Sequence, residues 1–427
     1  MENPIGPETG RWAGRFFTIW TGQALSLFGS ALVQFALIWW LTQKSGSATV
    51  LAIATLVGML PQIVAGPFAG ALVDRWNRRI VMIVADGTIA AFSLLLAYLF
   101  ATGVVQIWHV YAVMAVRALG GAFHFPAMSA STRMMVPEKQ LTRISGLNQA
   151  LQGINSLAAP PLGALLLGFL QTQNILLIDV ATAMLAIIPL LFIPIPQPKR
   201  HTVAQQGVKT SLMQDIREAL NYIRSLPGLV IIIFMALFLN FLLVPTSSLM
   251  PLLVTKHFGR GAIELGLIES VSGVGIIAGG LLLGIWGGFK KKMITSIIGI
   301  IGLGIGVTLI GIAPANLFIL AILGSITLGF MSPIANGPLG ALLQSIIRPD
   351  MQGRVMSLLN SGATAISPIG LLIAGPFSDW FGIRVWFWAG GFVCVIIAIT
   401  GFFIPAVMGI ENHRESRQDI SADPAIQ

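Results

Sequence analysis

Charge is scarce in this chain. Only 10% of its 427 residues are Asp, Glu, Lys or Arg, and one, Cys394, is cysteine. The lone cysteine excludes an internal disulfide and any cysteine-rich metal site, and reads as packing. With 55% hydrophobic residues, 47 glycines and a mean hydropathy of +0.85, the composition also excludes an ordinary soluble domain, whose apolar share is about 45–50%. HExxH, paired cysteines and histidines at ligand spacing are all missing, so no metal or nucleophilic centre of a membrane-embedded enzyme is in view. No Gly-Lys-Ser/Thr follows the glycines of GVGIIAGGLLLG at 273–284, which therefore read as helix packing. The chain has no ATP site of its own, and no cofactor is expected.

What fills the sequence instead is long apolar runs. Stretches of about 18 or more residues with few charges read as membrane-spanning helices. Twelve are found, at 16–42, 48–73, 80–101, 106–130, 141–169, 172–193, 228–256, 262–287, 292–313, 315–343, 353–377 and 383–406. The first is too long for a signal-peptide core and no small-residue cleavage site follows it, so it reads as a retained span. With the amino terminus placed in the cytoplasm, all but five of the 25 lysines and arginines fall inside. Lys44, Lys256, Arg260 and Arg384 fall outside and Arg117 falls within a span, which satisfies the positive-inside rule. Both termini are thus expected in the cytoplasm. The net charge of +9 alternates with the spans instead of forming one basic face, which argues against nucleic acid as a partner.

The one long polar interruption divides the spans six and six. It defines an N-terminal half (1–193), a linker (194–227), a C-terminal half (228–406) and a cytoplasmic tail (407–427). In the linker, SLMQDIREALNYIR places Leu212, Ile216, Leu220 and Ile223 on one helical face, with Ser211 and Gln214 at capping-box spacing. A short amphipathic helix on the inner membrane surface is expected. Sliding the chain on itself by 212 residues superposes Pro126 on Pro338, Pro137 on Pro349, Glu138 on Asp350, Gln140 on Gln352, Asn148 on Asn360 and Gly163 on Gly375. The fold class read from these features is an all-α membrane protein of twelve transmembrane helices in two six-helix pseudo-repeats, an arrangement in which carriers place a site at mid-membrane.

Residues 70–79, GALVDRWNRR, crowd four charges between two spans. Gly70, Asp74, Arg75, Arg78 and Arg79 resemble the loop signature of the major facilitator superfamily between spans two and three; Asn77 departs where that pattern usually has glycine. Arg117 with Gly121 resembles the fourth-span motif of proton-coupled members. Gly146, Asn155, Ala159, Pro160, Gly163 and Ala164 are similar to the fifth-span motif of drug antiporters, with small residues or Asn replacing several glycines. The stretch from Phe16 to Arg75 resembles the bacterial macrolide-efflux branch, most strongly over residues 16–80. The resemblance implies a secondary carrier that exports a large amphiphilic drug, a macrolide, from the cytoplasm or inner leaflet in exchange for protons. Its partners are then a hydrophobic small molecule, protons and membrane lipid, and an ATP-binding efflux partner protein is not deducible from the sequence. Export of a siderophore or other endogenous amphiphile is the alternative, since siderophore exporters share much of the signature. A non-transporting sensor would need a soluble output domain, for which the termini are too short.

The resemblance also implies that Gly70, Asp74, Arg75 and Arg78 form an inner gate, with Asp74 at the end of a helix of the other half. Gly66 and Gly70, four apart, would give span two a face for close packing. The plainer reading of the arginines, Arg78 and Arg79 above all, is topological anchoring. An arginine inside a span costs about 2.5–3.5 kcal/mol unless it faces protein or water, so Arg117 reads as buried and functional, coupling proton release to substrate movement. Asp86 is the expected partner. Asp86 near the inner third, and Asp179 and Glu269 toward the outer side, are proton-carrier candidates, with structural pairing the alternative for each. His109 and His124 could also titrate; the alternatives are an interfacial position for His109 and a hydrogen bond at the Pro126 kink for His124. Polar stripes at helical spacing mark a substrate path: Gln23, Ser26, Ser30 and Gln34; Asn148, Gln152 and Asn155; and Asn360, Thr364 and Ser367. Asn240 and Asn336 join them, and interhelical hydrogen bonding accounts for about half of the set.

Overall fold

The computed structural model describes residues 12–197 and 212–411. Among these residues there is no strand, and twelve helices exceed 20 residues. They are α1 (Trp12–Ser45), α2 (Ala48–Arg75), α3 (Arg78–Ala101), α4 (Ile107–Met135), α5 (Leu141–Phe169), α6 (Thr172–Phe192), α8 (Pro227–Leu252), α9 (Ala262–Trp286), α10 (Lys292–Ile312), α11 (Phe318–Ile346), α12 (Pro349–Phe381) and α13 (Ile383–Phe403). Two shorter ones complete the order, α7 (Leu212–Arg224) and α14 (Pro405–Met408). Eleven helices among the described residues are long and apolar enough to cross a membrane. The long helix outside that set is α4. Its 29 residues suffice in length, but Arg117, His109 and His124 dilute its apolar character.

Helix ends fall where the sequence supplies caps. Ser47 opens α2 by accepting the Val50 N–H at 3.4 Å, and Asn77 opens α3 by accepting the Arg79 N–H at 3.1 Å. Asn77, the departure from the loop signature, is therefore the N-cap of α3. Asparagine and glycine both serve at such a position, and φ of −71° makes no demand for glycine. The neighbouring cations staple the same corner. Arg78 is buried, with its backbone N–H and guanidinium both 3.4 Å from Gln197 Oε1. Arg79 donates to the carbonyls of Leu190 and Leu191, in the last turn of α6, where a helix leaves acceptors unpaired and favours a cation.

The chain divides into two compact units. In the first, α1 packs on α5 and α6, α3 packs on α4 and α6, and α2 packs on α4. A core of Phe16, Ile19, Val73, Met82, Ala127 and Leu190 joins five of these helices. In the second, α10 packs on α11 and α13, and α8 packs on α12 and α13. Backbones come very close there: a Cβ at Gly306 of α10 would lie 2.8 Å from the Gly324 carbonyl of α11. Such contacts let helices of a membrane protein gain dispersion and backbone proximity where no hydrophobic drive exists between them.

The helix expected in the linker is present as α7. Ala219 and Ile223 are buried in the core of the second unit, and Leu220 is exposed. Tyr222 Oη accepts the Arg348 N–H at 3.1 Å and donates to the Ile346 carbonyl at 3.5 Å, and Glu218 pairs with Arg354 of α12 at 2.5 Å. Through Ile223, Tyr222 and Glu218 the helix is tied to the α11–α12 corner. Ser211 and the side chains of Leu212, Gln214 and Ile216 lie outside the described residues.

Candidate functional site

The densest polar cluster lies inside the first unit, between α1, α3, α4 and α6, and it has two layers. In one, Arg117 of α4 forms an ion pair with Asp179 of α6. The carboxylate is fully occupied: Ser93 Oγ donates to Oδ2 and Ser30 Oγ to Oδ1, each at 2.9 Å. The guanidinium also reaches Ser93 Oγ at 2.5 Å and the Ser30 carbonyl at 3.4 Å. Asp179 is 0% exposed. Two opposite charges with every oxygen filled meet the conditions under which a buried ion pair is tolerated.

The second layer joins Asp86 of α3, His124 of α4 and Gln23 of α1. Gln23 Nε2 donates to Asp86 Oδ2 at 3.0 Å, Gln23 Oε1 lies 2.7 Å from His124 Nε2, and His124 Nε2 lies 3.4 Å from Asp86 Oδ1. All three are buried. The partner expected for Arg117 is thus corrected from Asp86 to Asp179. The reason is helix register. The helices α3 and α4 run antiparallel through a short turn, so Ser93 lies level with Arg117 and Asp86 lies level with His124. Seven residues of helix, about 10.5 Å of rise, separate Asp86 from the height of Arg117. The spacing itself was the missed signal. Asp86 and Ser93 are seven apart on one helix, Arg117 and His124 seven apart on the next, and antiparallel neighbours with equal polar spacing face each other in pairs. His124 is thereby a member of this cluster, not a bond at the Pro126 kink. His109 accepts the Gln106 N–H on Nδ1 at 3.0 Å, at the start of α4.

The other candidates are dispersed. Glu269 on α9 is half-buried and has no hydrogen-bond or ion-pair partner among the described residues. Asp74 is exposed and lies 3.5 Å from Arg78, its i+4 neighbour; Arg75 is exposed and Gly70 half-buried. A Cβ at Gly66 or Gly70 would meet no atom within 4 Å, so the close packing expected of that face is not made here. Of the polar stripes, Gln23 and Ser30 belong to the cluster above and Ser26 is buried beside them, while Gln34 is exposed. Asn148 accepts the Trp20 indole N–H at 2.8 Å. Asn240 and Asn336 bond back to the carbonyls of Ala236 and Ser332 at 2.9 and 3.0 Å. Gln152, Asn336 and Asn360 are exposed.

Among the described residues, the second unit carries no counterpart of the charge cluster. At the repeat position of Arg117 stands Gly329, where a Cβ would run into the backbone of Ser272 on α9. Where the first unit holds a guanidinium, the second brings two helix backbones together.

Comparison with known proteins agrees with this architecture. The model of the Major Facilitator Superfamily matches residues 19–259 and 229–424. Macrolide efflux protein A of Streptococcus pyogenes is 35% identical over 389 residues, covering 91% of this chain and 95% of that protein. The multidrug efflux pump Tap of Mycolicibacterium fortuitum is 27% identical over 401 residues, covering 90% and 94%. Among solved structures, a bacterial homolog to the human lysosomal transporter Spinster superposes with a TM-score of 0.69 at 12% identity, covering 96% of this chain and 98% of that one. Twelve long helices in two repeats, matched along nearly their whole length, leave one assignment: the chain belongs to the major facilitator superfamily of multi-pass membrane transporters.

Proposed function

We propose that this carrier exports large amphiphilic drugs, macrolides among them, from the cytoplasm or inner leaflet in exchange for protons. It does so across the bacterial inner membrane, with both termini cytoplasmic and 194–227 as the linker between its halves. The efflux relatives support the direction and the substrate class. The observation that carries the coupling is the buried cluster of the first unit, where two carboxylates, a guanidinium and an imidazole lie shielded inside four spans. Ionisable groups within spans are rare and mark relays or pathways. Exposed Asp74, with Gly70, Arg75 and Arg78, forms the inner gate of this reading, and the polar residues of α1, α5 and α12 line the drug's route.

The test has two parts. Cells with and without the protein are compared for accumulation across a chemically diverse drug panel that includes a macrolide; lower accumulation of the macrolide is expected. Vesicles loaded with that drug are then assayed while the proton gradient is collapsed. Export that proceeds unchanged without proton or sodium gradients would sink the antiport reading.

A further inference from the structure

The cluster of the first unit contains two carboxylates, and they are not equivalent. Asp179 is matched by a permanent cation and holds hydroxyl donors on both oxygens. Protonating it would evict those donors and strand Arg117 as an uncompensated charge inside the span. Asp86 has no permanent cation. Its neighbours are an amide and an imidazole, both of which can be neutral. The other charged groups near it are Arg117 on α4 and Asp179 on α6, which neutralise each other; α1 contributes only amide and hydroxyl groups, Gln23, Ser26 and Ser30. Without an added proton, the Asp86–His124 pair holds one unbalanced negative charge in the span. With one proton bound, the pair is neutral overall.

Resting on the antiport reading above, we infer that the Asp86–His124 pair, bridged by Gln23, is the site that binds and releases the exchanged proton, and that the Arg117–Asp179 pair is a fixed structural charge beside it. The only bond made and broken is the O–H of Asp86. The bridge gives the protonation state a geometric consequence. A carboxamide offers one acceptor and one pair of donors. With Asp86 ionised, Gln23 Nε2 donates to Asp86 while Oε1 accepts from His124 Nε2–H, as in this structure. With the proton on Asp86 Oδ2, the oxygen that faces Gln23, the O–H is a donor facing a donor. The amide must then turn over, presenting Oε1 to Asp86 and Nε2 to a His124 whose ring proton sits on Nδ1. Proton binding is thus passed to α1 through Gln23, which acts as a positioning residue.

The assignment is tested by infrared difference spectra of the purified full-length protein in lipid, recorded on acidification, together with gradient-driven drug export. A protonated-carboxyl band is expected to appear in the wild type, to be absent in Asp86→Asn and to persist in Glu269→Gln. Asp86→Glu keeps the carboxyl and should shift the band's frequency without removing it, which covers the case of an Asp86→Asn protein that does not fold. Gln23→Leu should keep the band but move the pH at which it appears, a change that a merely structural amide would not produce. Export by Asp86→Asn should fall to the level of empty vesicles. A band that survives in Asp86→Asn, or vanishes in Glu269→Gln, overturns the site. Wild-type export that ignores the gradient overturns antiport itself. A gradient-driven wild type whose Asp86→Asn variant is also gradient-driven overturns this site alone.

Discussion

Arg117 and Asp179, 62 residues apart in the chain, form a buried ion pair between α4 and α6 whose carboxylate accepts two further hydroxyl donors. This pairing changes what removal of the arginine should do. From the sequence, loss of an intramembrane charge is expected to leave insertion untouched. With Asp179 as partner, Arg117→Ala instead leaves a buried carboxylate with two hydroxyls and no cation. The loss is about 3–5 kcal/mol, enough to lower the protein level in membranes. The double variant Arg117→Ala/Asp179→Asn should recover most of that level. Quantitative blots of membrane fractions decide it, and an Arg117→Ala protein present at normal level would show that the pair contributes little to folding.

Asp74→Asn tests the gate. The carboxylate is 75% exposed and 3.5 Å from Arg78; the guanidinium is buried but keeps Gln197 as a partner, and water at the exposed end screens the pair to about 1 kcal/mol or less. Thermal stability and membrane level should therefore match the wild type. Transport should slow while drug binding is retained. Export at the normal rate would reduce Asp74 to a loop residue.

Arg79→Ala removes the donor that covers the Leu190 and Leu191 carbonyls. Hydrogen bonds from charged groups are worth about 1.5–3 kcal/mol, so the purified protein should unfold at a lower temperature. Arg79→Lys, which keeps one donor, should fall between. An unchanged unfolding temperature in the alanine variant would mean that water replaces the cap without loss.

Gly306→Ala places a methyl 2.8 Å from the Gly324 carbonyl. Forcing α10 and α11 apart should destabilise the second unit by about 1–3 kcal/mol, the range for overpacking. Gly284→Ala, with no atom within 4 Å of the new Cβ, is the control and should be neutral. Differential scanning of the two variants side by side separates close packing from a general intolerance of helix substitutions.

Much of the fold was legible because a bilayer imposes a simple rule. Spans must be long and apolar, and the sequence runs matched all twelve long helices, α4 included. The charged groups of the site were legible too, since Arg117, Asp86 and Asp179 stand out against apolar surroundings. Their pairing was not. Depth along a span is readable from its ends, yet which of two acids meets the arginine depends on the lateral neighbours of α4, and the contact with α6 is a tertiary fact. The contacts of His124 and Ser93 were hidden for a different reason. Each is unremarkable alone, and only the matched seven-residue spacing on adjacent antiparallel helices brings them together. The contacts of α7 were hidden in the same way, since nothing in its sequence names Arg348 and Arg354 as the partners of Tyr222 and Glu218.

Gly329 has a consequence for how the two repeats can diverge. An arginine introduced there would need α9 to retreat from the Ser272 backbone before any countercharge could be recruited. No single substitution can therefore copy the electrical device of one repeat into the other. Chimeras built by duplicating the first repeat would gain a second buried charge cluster, and those built by duplicating the second would have none. The halves share an ancestry of shape, but they are no longer spare parts for one another.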